Sequence, residues 1–116
     1  MPRPIRLSDL VEADMECIWQ WTEEKYDVDQ AVRYQMLLDQ ALDDVRIDPE
    51  RPSSRPHPEW GAQVRSYRIA LSKRRSGTGI KSPRHIVVYT LEYEDEVFVL
   101  RILHDRMEAQ GYLPED

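Results

Sequence analysis

The sequence predicts an α+β fold in which an N-terminal strand and an α-helical hairpin precede an antiparallel three-stranded meander, with the hairpin packed on one face of the sheet. Three stretches of the second half are rich in β-branched, aromatic and aliphatic residues and are bounded by Gly, Pro, Ser or acidic residues: 64–72, 85–93 and 96–103. The first half instead carries apolar residues at the three and four spacing of amphipathic helices. Because a small sheet is unstable bare in water, these helices are expected to cover its apolar face.

The chain begins with a short predicted edge strand at residues 4–7, where Ile5 and Leu7 alternate with Pro4 and Arg6. Ser8 or Asp9 then offers a side-chain oxygen to cap a helix that extends to about Lys25. One face of that helix carries an apolar stripe: Leu7, Val11, Met15, Ile18 and Trp21 or Thr22.

A second helix is predicted from about Val28 to Val45. Asp27, with Gln30 three residues later, resembles a capping box at its start. Its apolar stripe consists of Ala31, Tyr34 or Gln35, Leu38, Ala41 or Leu42, and Val45. The short connection between the two helices predicts an antiparallel hairpin.

Two loops and a final turn complete the prediction. Residues 48–58 contain four prolines, which neither continue a helix nor pair in a central strand, so a loop is expected. Residues 72–84 hold five basic residues with Gly77 and Gly79, and predict an exposed, mobile, cationic turn. The chain after Leu103 is expected to form a helical turn before Gly111, closed off by Pro114.

Length and composition narrow the class of protein. A chain of 116 residues has room for one domain across 1–116 and one modest core. No stretch of about 18 uncharged apolar residues is present to span a membrane, and the start lacks the apolar run of a secretory signal. The single cysteine, Cys17, cannot form an internal disulfide, which favours a reducing cytoplasm.

Charge is distributed unevenly along the chain. Residues 1–50 hold five basic and thirteen acidic side chains, a net charge of −8. Residues 60–90 hold seven basic side chains and no acid, a net charge of +7. This asymmetry predicts a cationic surface on or beside the sheet, suited to an acidic protein segment or a phosphate backbone. A solvated basic face without a partner is the alternative.

Few residues indicate chemistry. The three histidines show no metal-ligand spacing with cysteine or carboxylate, so neither a metal nor another cofactor is expected. Strand alternation places His104 at the end of a face with Phe98, Leu100 and Ile102, and Arg101 on the face of Val97, Val99 and Leu103. Small and polar neighbours favour exposure of Arg68. Arg65 is the first side chain of the row on the opposite face of the same strand. A nuclease acting by general acid–base chemistry would use Arg68, Tyr89 and His104.

Four segments together resemble a known family. They are EADMECIWQW at 12–21, VRSYRI at 64–69, SPRHIVVY at 82–89 and VLRILHDRM at 99–107. In this order they resemble the ParE/RelE superfamily of type II toxin–antitoxin toxins, and within it the ParE branch. The first is similar to the family's A-x-D-L-x-x-I-W-x-Y helix, and the ending R-[VI]-L-H-x-x-M is the most specific element.

The resemblance implies a small toxin with a RelE/ParE-like fold, held inactive by a ParD-like antitoxin in a hetero-oligomer and free of membrane association. ParE-like members target DNA gyrase by binding, without specific DNA binding by the toxin alone, whereas RelE-like members cut mRNA on the ribosome. Asp105 after His104 would repel RNA phosphates and favours the ParE branch. A degenerate, non-toxic relative is a third alternative. The residues expected to contact the antitoxin or target are Arg65, Arg68, Lys73, Arg74, Arg75, Lys81, Arg84 and Arg101.

Overall fold

The computed structural model of the protein describes residues 2–107 and 109–113. Strand β1 (Ile5–Leu7) is followed by helices α1 (Asp9–Lys25) and α2 (Val28–Ile47). The remaining elements are β2 (Arg55–Pro56), β3 (Val64–Arg68), a 3₁₀ turn (Ile69–Ser72), α3 (Lys73–Ser76), β4 (His85–Thr90), β5 (Val97–His104) and a second 3₁₀ turn (Ala109–Gly111). This order confirms the predicted strand, helical hairpin and meander.

The sheet has five strands in the order β1-β5-β4-β3-β2. The meander β3-β4-β5 is antiparallel as expected, and β1 adds to it in parallel, with Ile5 opposite Val97 and Leu7 opposite Val99. β1 therefore pairs with the first three residues of β5 only. The rest of that edge of β5 is left for α1, which determines the geometry of the site described below.

The two helices cover one face of the sheet. Their buried residues Val11, Ile18, Leu38, Ala41 and Val45 form one cluster with Tyr67, Val87, Tyr89, Val97, Val99 and Ile102 of the strands. Thr22 is buried while Trp21 is exposed, which decides the last position of the α1 stripe. Asp27 caps α2 by accepting a 2.8 Å hydrogen bond from the Gln30 N–H. Ser8 precedes α1, but its hydroxyl donates to the Leu100 carbonyl instead of capping the helix.

The opposite face of the sheet, called the back face, carries a second and smaller apolar cluster. Val64, Val88, Leu100 and Leu103 are buried there beneath Ala109. Trp60 packs against the same cluster and stacks on the His57 ring at 3.7 Å. The chain before β3 and the segment after β5 thus cover a face for which the sequence predicted no partner. Pro114, predicted to close the final turn, lies outside the described residues.

The first strand of the meander is shorter than predicted. Pairing ends at Arg68, and Ile69–Ser72 form a 3₁₀ turn where the sequence predicted strand as far as Ser72. The cause is polar: the Ser72 hydroxyl donates a 2.6 Å hydrogen bond to Asp44 of α2 and receives one from the Tyr67 hydroxyl at 2.8 Å. Asp44 is 1% exposed, so satisfying its buried carboxylate requires the chain to leave the sheet.

A β-bulge overturns the predicted alternation along β5. Tyr89 lies opposite Val99 but Val88 lies opposite Arg101, so Leu100 is the extra residue. Beyond the bulge the faces exchange, which places Ile102 in the helix-side cluster and Leu103 in the back cluster. The prediction therefore holds for Phe98 with Leu100 and for Val97 with Val99. It was wrong in placing Ile102 on the face of Phe98 and Leu103 on the face of Val97.

Both predicted loops contain regular structure. Within 48–58, Arg55 and Pro56 form a two-residue edge strand on β3, a position where proline is tolerated because it needs no donor. Within 72–84, the four residues Lys73–Ser76 form a helical turn that Gly77 ends at a φ of 64°, in the left-handed region. The first part of the basic loop, predicted as an exposed cationic turn, is therefore a short helical turn.

Removing the buried carboxylate is expected to destabilise the fold. Asp44→Ala leaves the Ser72 hydroxyl and the Gln40 amide without their acceptor and Arg75 without its partner at 2.9 Å. We expect the free energy of unfolding to fall by about 2–3 kcal/mol in urea titrations. Asp43→Ala is the matched control, because Asp43 is half exposed and pairs with Arg46 three residues away on the same helix. It is expected to cost less than about 1 kcal/mol. Equal losses in the two variants would contradict the role given to Asp44.

Candidate functional site

A groove opens between the helical hairpin and the C-terminal end of the meander. Its cavity volume is about 1110 Å³. The last turns of α1 and the first turns of α2 form one wall, and residues 79–85 with residues 101–107 form the other. We call this feature the cationic groove.

The described lining of the groove is strongly positive. It contains six cations and a single carboxylate, Asp14: the cations are Lys25, Arg33, Lys81, Arg84, Arg101 and Arg106. Trp21, Tyr26 and Met107 add exposed apolar surface, and the buried Ile18, Ile80 and Ile102 also line the groove. Together these side chains provide what an acidic amphipathic segment requires, an apolar floor with cations around it.

Asp14 and Arg101 form an ion pair that holds α1 against the edge of β5 left open by β1. Arg101 donates from Nε at 2.8 Å and from Nη2 at 2.7 Å to the two carboxylate oxygens, and the Ile102 N–H donates to the same carboxylate at 3.0 Å. The hydrogen bonds from Asp14 raise the pKa of Arg101. Both side chains are largely buried, with 17% and 12% exposure, so this arginine serves the architecture of the groove.

A tyrosine and two histidines line the groove where α2 approaches the end of the meander. The Tyr34 hydroxyl lies 2.6 Å from His85 Nδ1, and the His85 and His104 rings meet edge to face at 5.4 Å. Burial raises the pKa of Tyr34 to about 12 and lowers that of His85 to about 4. At neutral pH a protonated tyrosine therefore donates to a neutral imidazole, which assigns the His85 proton to Nε2.

Arg84 and Asp105 form an exposed ion pair beside these rings. Arg84 Nε lies 2.8 Å from Asp105 Oδ2, and the Asp105 N–H donates to the Arg84 carbonyl at 2.7 Å. The hydrogen bond from Arg84 and its charge hold the pKa of Asp105 below its usual range. Asp105 is thus ionised at neutral pH, and its carboxylate binds the guanidinium of Arg84, one of the groove cations.

Two large aromatic residues stand exposed at the helical wall. Trp21 is 55% and Tyr26 is 59% exposed, their rings meet edge to face, and the Lys25 ammonium lies 4.7 Å from the centre of the Trp21 ring. Exposed aromatic residues beside a cation are characteristic of surfaces that bind other proteins.

The structure brings three of the eight predicted contact residues into the groove, namely Lys81, Arg84 and Arg101. Arg75 is engaged by the buried Asp44, and Arg65 is half buried and donates to Ser54 at 2.9 Å. Lys73 donates to the Lys81 carbonyl at 3.3 Å. Arg68 at the end of β3 and Arg74 in α3 are exposed, and neither lines the groove. Some residues of the basic run that was predicted to form a binding surface therefore make contacts within the chain instead.

The three residues considered for a nuclease do not meet at one place. Tyr89 is fully buried in the helix-side core, where its hydroxyl donates to the Pro49 carbonyl at 2.6 Å. Arg68 follows Tyr67 of the same core and so projects toward the back face. Only His104 lines the groove.

Sequence reasoning missed three groove cations because they are distant from residues 60–90. Lys25 ends α1, Arg33 lies in α2 and Arg106 follows β5. Folding the hairpin over the meander places them in one groove. Within the described part of the chain, no group of three or more histidine, cysteine or acidic side chains is arranged to hold a metal ion, and no helix has the length and apolarity to cross a membrane.

Comparison with known proteins agrees with this architecture. The family model for the ParE toxin of the type II toxin–antitoxin system parDE matches residues 5–109. A protein named Toxin ParE1 from Caulobacter vibrioides is 27% identical over 111 residues, covering 96% of this chain and 98% of that protein. Another Toxin ParE1, from Mycobacterium tuberculosis, is 28% identical over 107 residues, covering 92% of this chain and 94% of that protein. The chain belongs to the ParE toxin family of type II toxin–antitoxin systems.

Proposed function

We propose that this protein is a cytoplasmic toxin that inhibits DNA gyrase by binding to it, and that a ParD-like antitoxin neutralises the toxin by occupying the cationic groove. Membership of the ParE family supports the toxin role and the existence of an antitoxin. The resemblance to the ParE branch supports gyrase as the target. The observation that carries the proposal is the composition of the groove, six cations around an apolar floor with its one carboxylate engaged by Arg101.

The geometry favours an occupant with carboxylates and apolar side chains. Trp21, Tyr26 and Met107 offer exposed apolar contact, and Lys81 and Arg84 add positive charge to the same lining. A helix that enters such a groove presents apolar residues three and four positions apart and acids on its flanks. This description fits the acidic amphipathic segment expected of an antitoxin.

The polar groups of the groove favour binding over chemistry. The Tyr34 hydroxyl is committed to His85, and burial keeps the pKa of that imidazole near 4, far from the range of a base at neutral pH. The buried Tyr89 is withdrawn from the surface altogether. Inhibition by occupancy of a target protein requires shape and charge complementarity, which the groove supplies.

Expression of the protein without its antitoxin tests the toxin role and the target together. We expect filamentous growth and induction of the DNA-damage response, and we expect purified protein to inhibit supercoiling by gyrase. Co-expression of the cognate antitoxin should restore growth, and we expect the adjacent reading frame to encode it as a ribbon-helix-helix protein. Codon-sited mRNA cleavage would instead assign the protein to ribosome-dependent RNases, and unaffected growth would indicate a non-toxic relative.

Charge reversal at two exposed groove cations tests the binding surface. Lys81→Glu with Arg106→Glu places two acids in the groove, and we expect antitoxin affinity to fall by about tenfold or more in isothermal titration calorimetry. Arg68→Glu with Arg74→Glu is the matched variant, because it changes the net charge equally at exposed residues outside the groove.

The matched pair separates the groove from the wider basic surface. We expect the Arg68/Arg74 variant to lose less than about threefold in affinity, since rim and remote charges act mainly on association rate. Both variants are expected to retain the wild-type unfolding midpoint, because all four side chains are exposed. Equal loss in the two variants would assign binding to overall charge, and loss in the Arg68/Arg74 variant alone would move the interface to the back face.

A further inference from the structure

Arg84 is a groove cation whose guanidinium is held by a carboxylate at the rim. The lining includes Arg84 and His104 but not Asp105, which lies next to both. Asp105 Oδ2 accepts from Arg84 Nε at 2.8 Å, and Asp105 Oδ1 lies 3.3 Å from His104 Nδ1. The Asp105 carboxylate therefore neutralises the charge of Arg84, which would otherwise be available to a ligand in the groove.

The Arg84–Asp105 pair differs in kind from the Asp14–Arg101 pair. Asp14 makes two hydrogen bonds to Arg101 and one to the Ile102 N–H in a largely buried position. The Arg84–Asp105 side-chain pair has a single hydrogen bond, and its members are 47% and 28% exposed. Exposed pairs of this geometry contribute little to stability, so the pair can exchange partners at small cost.

The surroundings of Asp105 attract an anionic group. The hydrogen bond from Arg84 lowers the pKa of Asp105 most, and the charges of Arg84 and Arg106 lower it further. The Arg106 N–H donates to His104 Nδ1 at 3.2 Å, which fixes that nitrogen as an acceptor and leaves the proton of the neutral ring on Nε2. Arg84 and Arg106 are thus the permanent charges at this end of the groove.

We propose that Arg84 and Arg106 form a subsite for a carboxylate of an acidic protein segment, and that Asp105 occupies this subsite as a placeholder in the free protein. This inference rests on the proposed function, since the segment would belong to the antitoxin. The arriving carboxylate replaces Asp105 on Arg84. The binding free energy is reduced accordingly, because the Arg84–Asp105 ion pair must be broken. The exposed apolar lining at Trp21, Tyr26 and Met107 favours a peptide over a nucleic acid.

The test measures binding of a fluorescein-labelled synthetic peptide, an amphipathic helix with leucines on one face and glutamates on the other, by fluorescence anisotropy. Asp105→Asn keeps the side-chain shape and removes the charge, which weakens the hold of residue 105 on Arg84 and restores the net positive charge of the guanidinium. We expect this variant to bind the peptide roughly threefold to fivefold more tightly than the wild type, with the gain shrinking at high salt. A peptide with glutamine in place of glutamate should show no gain.

Asp43→Asn is the matched control. Asp43 also pairs with a half-exposed arginine, Arg46, at 2.9 Å, and it does not line the groove. The substitution Asp43→Asn removes the same charge as Asp105→Asn. Arg84→Gln completes a double-mutant cycle, and we expect Asp105→Asn to bring no gain in an Arg84→Gln background. That non-additivity distinguishes a freed arginine from a general change in net charge.

Several outcomes would overturn the proposal. If Asp105→Asn binds the peptide with the affinity of the wild type or of Asp43→Asn, Asp105 does not compete with the peptide for Arg84. If the gain in affinity persists in the Arg84→Gln background, its cause is a general change in net charge. A gain for oligouridylate alone would make the ligand a phosphate backbone, and no peptide binding by any variant would remove the carboxylate subsite. Growth arrest and gyrase inhibition are measured independently, so these failures leave the proposed target of the toxin standing.

Discussion

The contact between Asp14 and Arg101 determines how the helical hairpin sits on the sheet. β1 pairs with only the first three residues of β5, so the backbone of β5 beyond Val99 needs another partner on that side. Asp14 supplies it by accepting the Ile102 N–H at 3.0 Å while binding the Arg101 guanidinium through both oxygens. The helix thereby closes a strand edge that would otherwise be open to non-native pairing. Because α1 is fixed beside β5, its last turn projects past the sheet and forms a wall of the groove.

The uneven distribution of charge along the chain has two consequences in the fold. Acids of the first half pair with arginines of the second half, at the largely buried Asp14–Arg101 and at Asp44–Arg75, where the carboxylate is buried and the arginine is exposed. These pairs join the helical layer to the sheet and to the segment after β3. Two of the remaining cations, Lys81 and Arg84, line the groove at the end of the meander together with Lys25, Arg33 and Arg106. Opposite charge therefore contributes to assembly within the chain and, at the groove, to the proposed recognition of a partner.

Much of the fold could be predicted from the sequence because its signals are local. Periodicity identified both helices, and the Asp27 cap fixed the start of α2. The end of β3 could not be predicted, since Ser72 leaves the sheet to reach Asp44, 28 positions away in the chain. The bulge at Leu100 also escaped strand alternation, because nothing in a run of aliphatic residues marks which one is extra. The candidate site was only partly predictable, because its cations come from four separate stretches of chain that only the folded structure brings together.

Amide hydrogen exchange of the toxin, free and bound to its antitoxin, tests the central claim that the cationic groove is the surface the partner occupies. Binding is predicted to slow exchange in residues 79–84, in residues 104–107 and in the last turn of α1, all of which line or flank the groove. Exchange at Arg55 of the edge strand β2 and in α3 is predicted to stay unchanged. Protection confined to those two segments, with the groove exchanging as in the free protein, would contradict the account.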